Sequence, residues 1–229
     1  MIEPYYQDES VTLYHGDCRE VLPSIEEAYD VVAMDPPYSS GGFQESGKSS
    51  GSIGTRSNDV IVMDNLSTRG YERLMREVMR HLNQADEIFV FTDWRMWIST
   101  FDAIEGAGWR VRNMLVWDKV QMGMGLPWRN QHELIAYGKR TPAKMMDGKR
   151  GNVIQSKRTG NANQPTEKPS GLMANLLSKT SGECVIDPFA GSGTTLVAAK
   201  ECGLRAIGIE MEERHCETAA RRLAQGVLL

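Results

Sequence analysis

At 229 residues, with 41% hydrophobic and 24% charged residues, the chain has the make-up of one α/β domain that can bury a core without disulfide or metal staples. No run approaches the length of a membrane span and the start MIEPYYQDES has no basic and apolar leader pattern, so a cytoplasmic location is expected. The net charge of −4 excludes a chain that is basic throughout, though not a local basic face.

In chain order, Val11–Tyr14 reads as a strand and Arg19–Ile25 as a short helix. Val31–Met34 is a β-branched apolar run of the kind that makes a buried parallel strand. The stretch MDPPYSSGGF (34–43) ends it, because Pro36 and Pro37 donate no ladder hydrogen bond and each fixes its own φ. Taken alone, the tetrapeptide Asp35–Tyr38 suits either a strand stop with an aromatic lid or a functional loop. Twelve of the twenty-one residues at 39–59 are Ser or Gly. That is too long for an idle connection, and a mobile loop is expected over 39–66.

The spacing of Leu74, Val78 and Leu82 predicts a helix over Tyr71–Leu82. A strand at Glu87–Thr92 and a helix at Trp94–Gly106 follow. Arg110–Trp117 and Leu134–Tyr137 read as strands around a Met/Gly-rich turn at 121–125. Trp94, Trp97, Trp117, Met122 and Met124 are expected to pack in the core or at hinges.

Segment 139–168 carries eight Lys/Arg against Asp147 and Glu167, a local charge of +6 that leaves −10 elsewhere. A basic segment on an acidic scaffold suits a polyanion partner and, equally, a solvated loop. Pro169–Ser178 reads as a helix with proline in its first turn. Cys184–Asp187, Thr194–Cys202, Arg205–Ile209 and Glu212–Leu223 complete a β-α-β-α unit. The alternation predicts a single Rossmann-like, doubly wound α/β domain over 1–229, with its ligands beyond the carboxyl ends of the strands. The cysteines Cys18, Cys184, Cys202 and Cys216 are far apart and the four histidines are scattered, so neither a metal site nor a disulfide framework is expected.

Residues 185–195, VIDPFAGSGTT, form an apolar strand, a Gly-rich turn and a helix start. Gly191 and Gly193 allow close backbone approach, and the helix start presents free N–H groups. A P-loop would end in Gly-Lys-Ser/Thr, and a dinucleotide fingerprint would have a third glycine where Leu196 stands. Glu210 ends the next strand, twenty-three residues after Asp187, where an acidic side chain can hold both ribose hydroxyls. A ribose diol without a pyrophosphate points to S-adenosylmethionine. Plain strand-end caps remain the competing reading of Asp187 and Glu210.

With DPPY at 35–38, DPFAGSGTT at 187–195 and an acidic residue after the following strand, the sequence resembles the β-group amino-methyltransferases of DNA. These modify the exocyclic nitrogen of adenine or cytosine. The likeness is densest in GDCREVLPSI (16–25), DVVAMDPPY (30–38), HELIAYGK (132–139), PTEKP (165–169) and 181–210. The catalytic motif precedes the cofactor motif, a circular permutation of the same sheet. The resemblance implies that Asp35, Pro36, Pro37 and Tyr38 form the catalytic loop, with Asp35 also bordering the cofactor. It implies that Phe189, Ala190, Gly191, Ser192, Gly193 and Thr194, beside Asp187, cradle the methionine part of S-adenosylmethionine. Glu210 would take the ribose, Asp17 and Cys18 would lie near the adenine, and Thr166 and Lys168 would close over the amino-acid end. Gln164 stands where family members often carry histidine, and the target-recognition segment, about 139–164, is short.

An adenine amino group is a poor nucleophile because its lone pair is delocalised into the ring. A carboxylate oxygen of Asp35 and the carbonyl of Pro36, each accepting one amino hydrogen, would localise that pair for direct displacement, and proline stiffness would preorganise them. Tyr38 would stack on the flipped base. Aspartate before Pro-Pro-Tyr favours adenine N6 within this family; cytosine N4 and a catalytically silent DNA-binding module are the alternatives. Lys149, Arg150, Lys157 and Arg158 are the expected DNA contacts. Double-stranded DNA is the implied partner, with a homodimer and a companion restriction nuclease as further partners that the family admits. A segment this short should read about two to five base pairs per protomer, at one well-placed side chain per base pair.

Overall fold

The computed structural model describes residues 2–37, 67–123, 127–142, 151–158 and 167–225. From its start, Tyr6–Gln7 (β1) and Val11–His15 (β2) lead through Cys18–Val21 (α1) and a 3-10 turn to Val31–Met34 (β3). Thr68–Met79 (α2), Glu87–Thr92 (β4), Trp97–Gly106 (α3), Arg110–Asp118 (β5), His132–Lys139 (β6) and Val153–Gln155 (β7) follow. Ser170–Leu177 (α4), Cys184–Asp187 (β8), Thr194–Glu201 (α5), Arg205–Glu210 (β9) and Glu213–Ala224 (α6) complete the order. None of the described helices is long and apolar enough to cross a membrane.

The strands form one sheet in the order β1-β2-β9-β8-β3-β4-β6-β5-β7. Every residue of β3, β4 and β8 is buried, since helices cover both faces. Alternation sorts their side chains between two cores. Val32, Met34, Ile88 and Val90 join Tyr71, Met75, Val78 and Ile104 from α2 and α3. Val31, Ala33, Phe89 and Phe91 join Leu172, Leu176, Leu196 and Leu223 from α4, α5 and α6. Helices on both faces make the sheet doubly wound, as the sequence predicts.

The sheet is mixed, not parallel throughout. β6 runs antiparallel to both β4 and β5, because β5 returns through a turn instead of a crossover helix. β1 and β7 are additions to the sequence reading. With two and three residues they are too short for periodicity to register, and β7 sits inside the basic segment, paired parallel to β5 at Val116–Asp118. The expected helix at Trp94–Gly106 begins at Trp97. Trp94 stands outside it, 58% exposed, while Met122 is 61% exposed; both were expected to pack. Trp117 is buried as expected, its Nε1 donating to the Ser156 carbonyl at 2.7 Å. Met124 lies outside the described residues.

The chain runs outward from β3 to β4 on one side and from β8 to β9 on the other, so the switch point of the sheet lies between β3 and β8. β3 pairs with β4 as far as Met34↔Val90, but its pairing with β8 stops at Val32↔Ile186. The two strands therefore part just before Asp35 and Asp187. That parting opens a crevice.

Candidate active site

The carboxyl ends of β2, β9, β8, β3, β4, β5 and β7 all reach the same edge of the sheet. This edge collects Asp17, Asp35, Lys119, Asp187 and Glu210, which are spread over most of the sequence.

Asp35 follows β3, with Pro36 buried behind it. Its Oδ2 accepts a 2.5 Å hydrogen bond from Lys168 Nζ. Its Oδ1 is shut off from solvent and has no hydrogen-bond partner among the described residues, although the side chain as a whole retains 28% of its exposure. Burial pushes the Asp35 carboxyl above the usual range; the Lys168 ammonium opposes this and Glu133 adds to it. Burial alone would push Lys168 down, but the carboxylates of Asp35 and Glu133 outweigh it and hold the ammonium above the usual lysine value. Lys168 thus enters the site as the partner of the carboxylate.

The glycine turn is built by the backbone around Asp187 and Glu210. Asp187 Oδ1 accepts from the Phe189 N–H at 2.9 Å, and the Gly193 N–H donates to the Ala190 carbonyl at 2.8 Å. Burial raises the Asp187 carboxyl to about 7, against hydrogen bonds from Thr195 and the Phe189 N–H. Gly191 and Gly193 have φ of +52° and +81°. At Gly193 a Cβ would also come within 2.8 Å of Ala219 Cβ, so the close approach that glycine permits there is to α6. Gly193 is the N-cap of α5 and supplies no side-chain cap, which leaves the first N–H groups of the helix without one.

Glu210 closes β9. Its Oε2 accepts from the Gly191 N–H and its Oε1 from the Glu212 N–H, each at 2.8 Å. The carboxylate is therefore fixed before any ligand arrives, while each oxygen keeps accepting capacity. At the same edge, after β2, Asp17 caps α1 by accepting from the Arg19 N–H at 2.9 Å, and its carboxylate is also paired with the Arg19 guanidinium. Cys18 is buried, and burial pushes its thiol up to about 12, well away from a reactive thiolate.

Arg222, which no motif signals, holds the turn from behind. From α6 its Nη1 donates to the Ser192 carbonyl at 2.7 Å and to the hydroxyls of Ser192 and Thr194 at 3.2 Å. It also pairs with Glu167 at 3.0 Å, which ties the segment before Lys168 to the glycine turn. Lys157 and Arg158 are exposed just after β7, at the same edge. Trp128, in the β5–β6 turn, is 86% exposed. Tyr38, Lys149, Arg150, Thr166, the loop expected at 39–66 and most of the target-recognition segment lie outside the described residues.

The sequence model of the N6/N4 methyltransferase family, described as DNA methylase, matches residues 29–221. The chain belongs to this family. A Type II methyltransferase of Lactococcus lactis subsp. cremoris, M2.LlaDCHI, is 28% identical over 99% of this chain and 94% of its own length. In fold, the methyltransferase resembles M1.HpyAVI in its complex with S-adenosylmethionine, with a TM-score of 0.69 and 21% identity over 93% of this chain and 98% of that one. It also resembles the cytosine-N4-specific PvuII DNA methyltransferase, with a TM-score of 0.73 and 17% identity over 96% and 88%. This chain is thus a DNA methyltransferase of the N6/N4 family, and its methyl donor is S-adenosylmethionine. The switch-point residues fit that donor: an uncapped helix start, two glycines with positive φ and a fixed carboxylate at the next strand end suit a zwitterionic amino acid joined to a ribose.

Proposed function

We propose that this enzyme methylates the N6 amino group of adenine in double-stranded DNA. The observation that carries the reading is the Asp35 carboxyl: one oxygen is held by Lys168 and the other is a buried acceptor with no partner among the described residues. A buried acceptor left unpaired is costly, and an amino hydrogen from a flipped base would satisfy it. Aspartate at this place, within the family, is the reason for preferring adenine.

When bound, S-adenosylmethionine supplies a sulfonium methyl, so transfer forms a nitrogen–carbon bond while the carbon–sulfur bond gives its electron pair to sulfur, and the methylated nitrogen then releases one amino proton to solvent. Asp35 Oδ1 and the Pro36 carbonyl accept the two amino hydrogens and turn the nitrogen lone pair out of the ring. Pro36 and Pro37 keep these acceptors stiff, and Tyr38 gives the base a stacking face. Glu210 binds the ribose hydroxyls, and residues 187–194 hold the methionine part. Asp17 and Cys18 border the adenine of the donor, and Thr166 closes over its amino-acid end. Nucleosides from plasmid treated with the enzyme and labelled donor should contain N6-methyladenine. Label in N4-methylcytosine would move the reaction to the other base, and no label would leave a silent binding module.

Arg222 supports the turn without reaching the reacting atoms. Arg222→Met should raise KM for S-adenosylmethionine about tenfold with kcat little changed, the loss expected when one or two charge-assisted hydrogen bonds are removed. Arg222→Lys keeps the charge but not the fork, and should fall between. A matching fall in kcat would show that the turn serves chemistry and not affinity.

For DNA, Lys157 and Arg158 are exposed cations at this edge, and Lys149 and Arg150 extend the same basic segment. Changing Lys157 and Arg158 to glutamine should flatten the plot of log affinity against log salt by roughly 1.8, for two lost phosphate contacts. An unchanged slope would place the DNA face elsewhere.

A further inference from the structure

The charge arrangement at Asp35 extends past Lys168. Four separate elements deliver alternating charges to one place: Asp35 after β3, Lys168 before α4, Glu133 in β6 and Lys119 after β5. Lys168 Nζ lies 2.5 Å from Asp35 Oδ2 and 3.4 Å from Glu133 Oε2, and Lys119 Nζ donates to Glu133 Oε1. The Lys119, Glu133 and Lys168 side chains are all largely buried. Lys168 also sits 5.3 Å from the centre of the Phe91 ring, and Lys119 sits 5.0 Å from that of Trp117.

Buried ions of this kind add little stability over apolar residues of the same volume, so their arrangement needs another explanation. The row stands at the reactive edge of the sheet, not in either apolar core, and it ends on the carboxyl whose second oxygen is unpaired. The backbone around Lys119 is also constrained. Val120, a β-branched residue, has φ +63°, and its N–H is held by Asp118 Oδ1 at 2.9 Å. Asp118 in turn accepts from Gln131 Nε2 at 2.8 Å and from Gln155 Nε2 at 3.0 Å, which ties the end of β5 beside Lys119 to the residue ahead of β6 and to β7.

We infer that Lys119 and Glu133 are positioning residues for methyl transfer: through Lys168 they confine the ammonium to Asp35 Oδ2 and leave Oδ1 as the acceptor for the substrate amino group. This rests on the reading of Asp35 given above. An ammonium without Glu133 on its far side could swing its three donors across both carboxylate oxygens. Burial works upward on the Glu133 carboxyl, and Lys168, with Lys119 beside it, holds it below the usual range, so it stays ionised.

The arrangement also sets the pH at which Asp35 can accept. Facing it are Lys168, Glu133 and Lys119, with Asp187 of β8 and Tyr71 of α2 near enough to feel its charge. Glu133 disfavours the ionised carboxyl and Lys119 favours it. The acceptor is lost as pH falls through the Asp35 value, so the two variants should move the acid limb of activity in opposite directions.

The experiment is single-turnover methylation of plasmid against pH with saturating donor, for wild type, Glu133→Gln, Lys119→Met and the double variant. Glu133→Gln should shift the acid limb down by about one pH unit, and Lys119→Met should shift it up by a similar or smaller amount, the size a nearby charge imposes. The double variant removes one charge of each sign and should bring the limb back towards wild type. KM for S-adenosylmethionine should hold in all three. Thermal melts check folding, and if Glu133→Gln does not fold, Lys119→Met and the double variant carry the test. Unshifted limbs, or shifts of the same sign, beside an inactive Asp35→Ala would overturn the inference and leave Asp35 as the acceptor. An active Asp35→Ala would instead remove that reading, and the inference with it.

Discussion

Asp35→Ala should abolish methyl transfer while S-adenosylmethionine still binds. Under the proposed mechanism the unpaired Oδ1 receives the target amine, so its loss should fall on the step in which the nitrogen lone pair is localised and not on the donor site. Loss of one preorganised hydrogen-bonding group at a reacting atom costs roughly 10²–10³ in kcat, and under the proposed mechanism the second acceptor is a main-chain carbonyl. Asp35→Asn is the stricter variant. Lys168 would take the amide oxygen and turn the amide N–H towards the substrate, a donor facing a donor. Single-turnover assays should therefore show both variants down by at least about a hundredfold. Calorimetry decides the assignment: a variant that no longer binds the donor would mean that Asp35 belongs to the donor site.

The converse is expected at Glu210. Glu210→Ala should weaken S-adenosylmethionine by about 10²-fold, because the two charge-assisted hydrogen bonds proposed to the ribose would each be worth roughly 1.5–3 kcal/mol and part of that is recovered by water. Its carboxylate is fixed by the N–H groups of Gly191 and Glu212, so little ordering cost attends binding in the wild type. The variant should regain most of its rate at saturating donor, which separates it from the Asp35 variants. Because the same carboxylate anchors the glycine turn, Glu210→Gln provides a control that keeps one acceptor for the turn. Unchanged donor affinity in both, with melting like that of the wild type, would remove Glu210 from the ribose site.

Much of the scaffold is legible in local pattern. Val31–Met34, Glu87–Thr92 and Cys184–Asp187 are strands with the bounds that the sequence predicts, because a strand buried on both faces reads as a near-continuous apolar run, with Glu87, Thr92 and Asp187 the polar residues at the strand ends. The turn at 187–194 is legible for a related reason: positive φ at positions 191 and 193 restricts the choice to glycine. β7 and the exposure of Trp94 and Met122 were not legible. Three residues are too few to show a period, and an aromatic or methionine side chain carries no local mark of whether an element will cover it.

The sequence by itself determined the doubly wound sheet, the order of its two motifs and the residues at its strand ends, since these follow from burial and backbone geometry within short windows. Only the tertiary structure decided which of those residues meet. Lys168 reaches Asp35 across 133 positions, Glu133 joins them because β6 enters the sheet antiparallel, and Arg222 finds Ser192 because α6 packs against the turn. A charged residue at a strand end has the same local pattern whichever partner it finds. Its partner is set by which strands lie side by side, and in a permuted sheet those neighbours are remote in the chain.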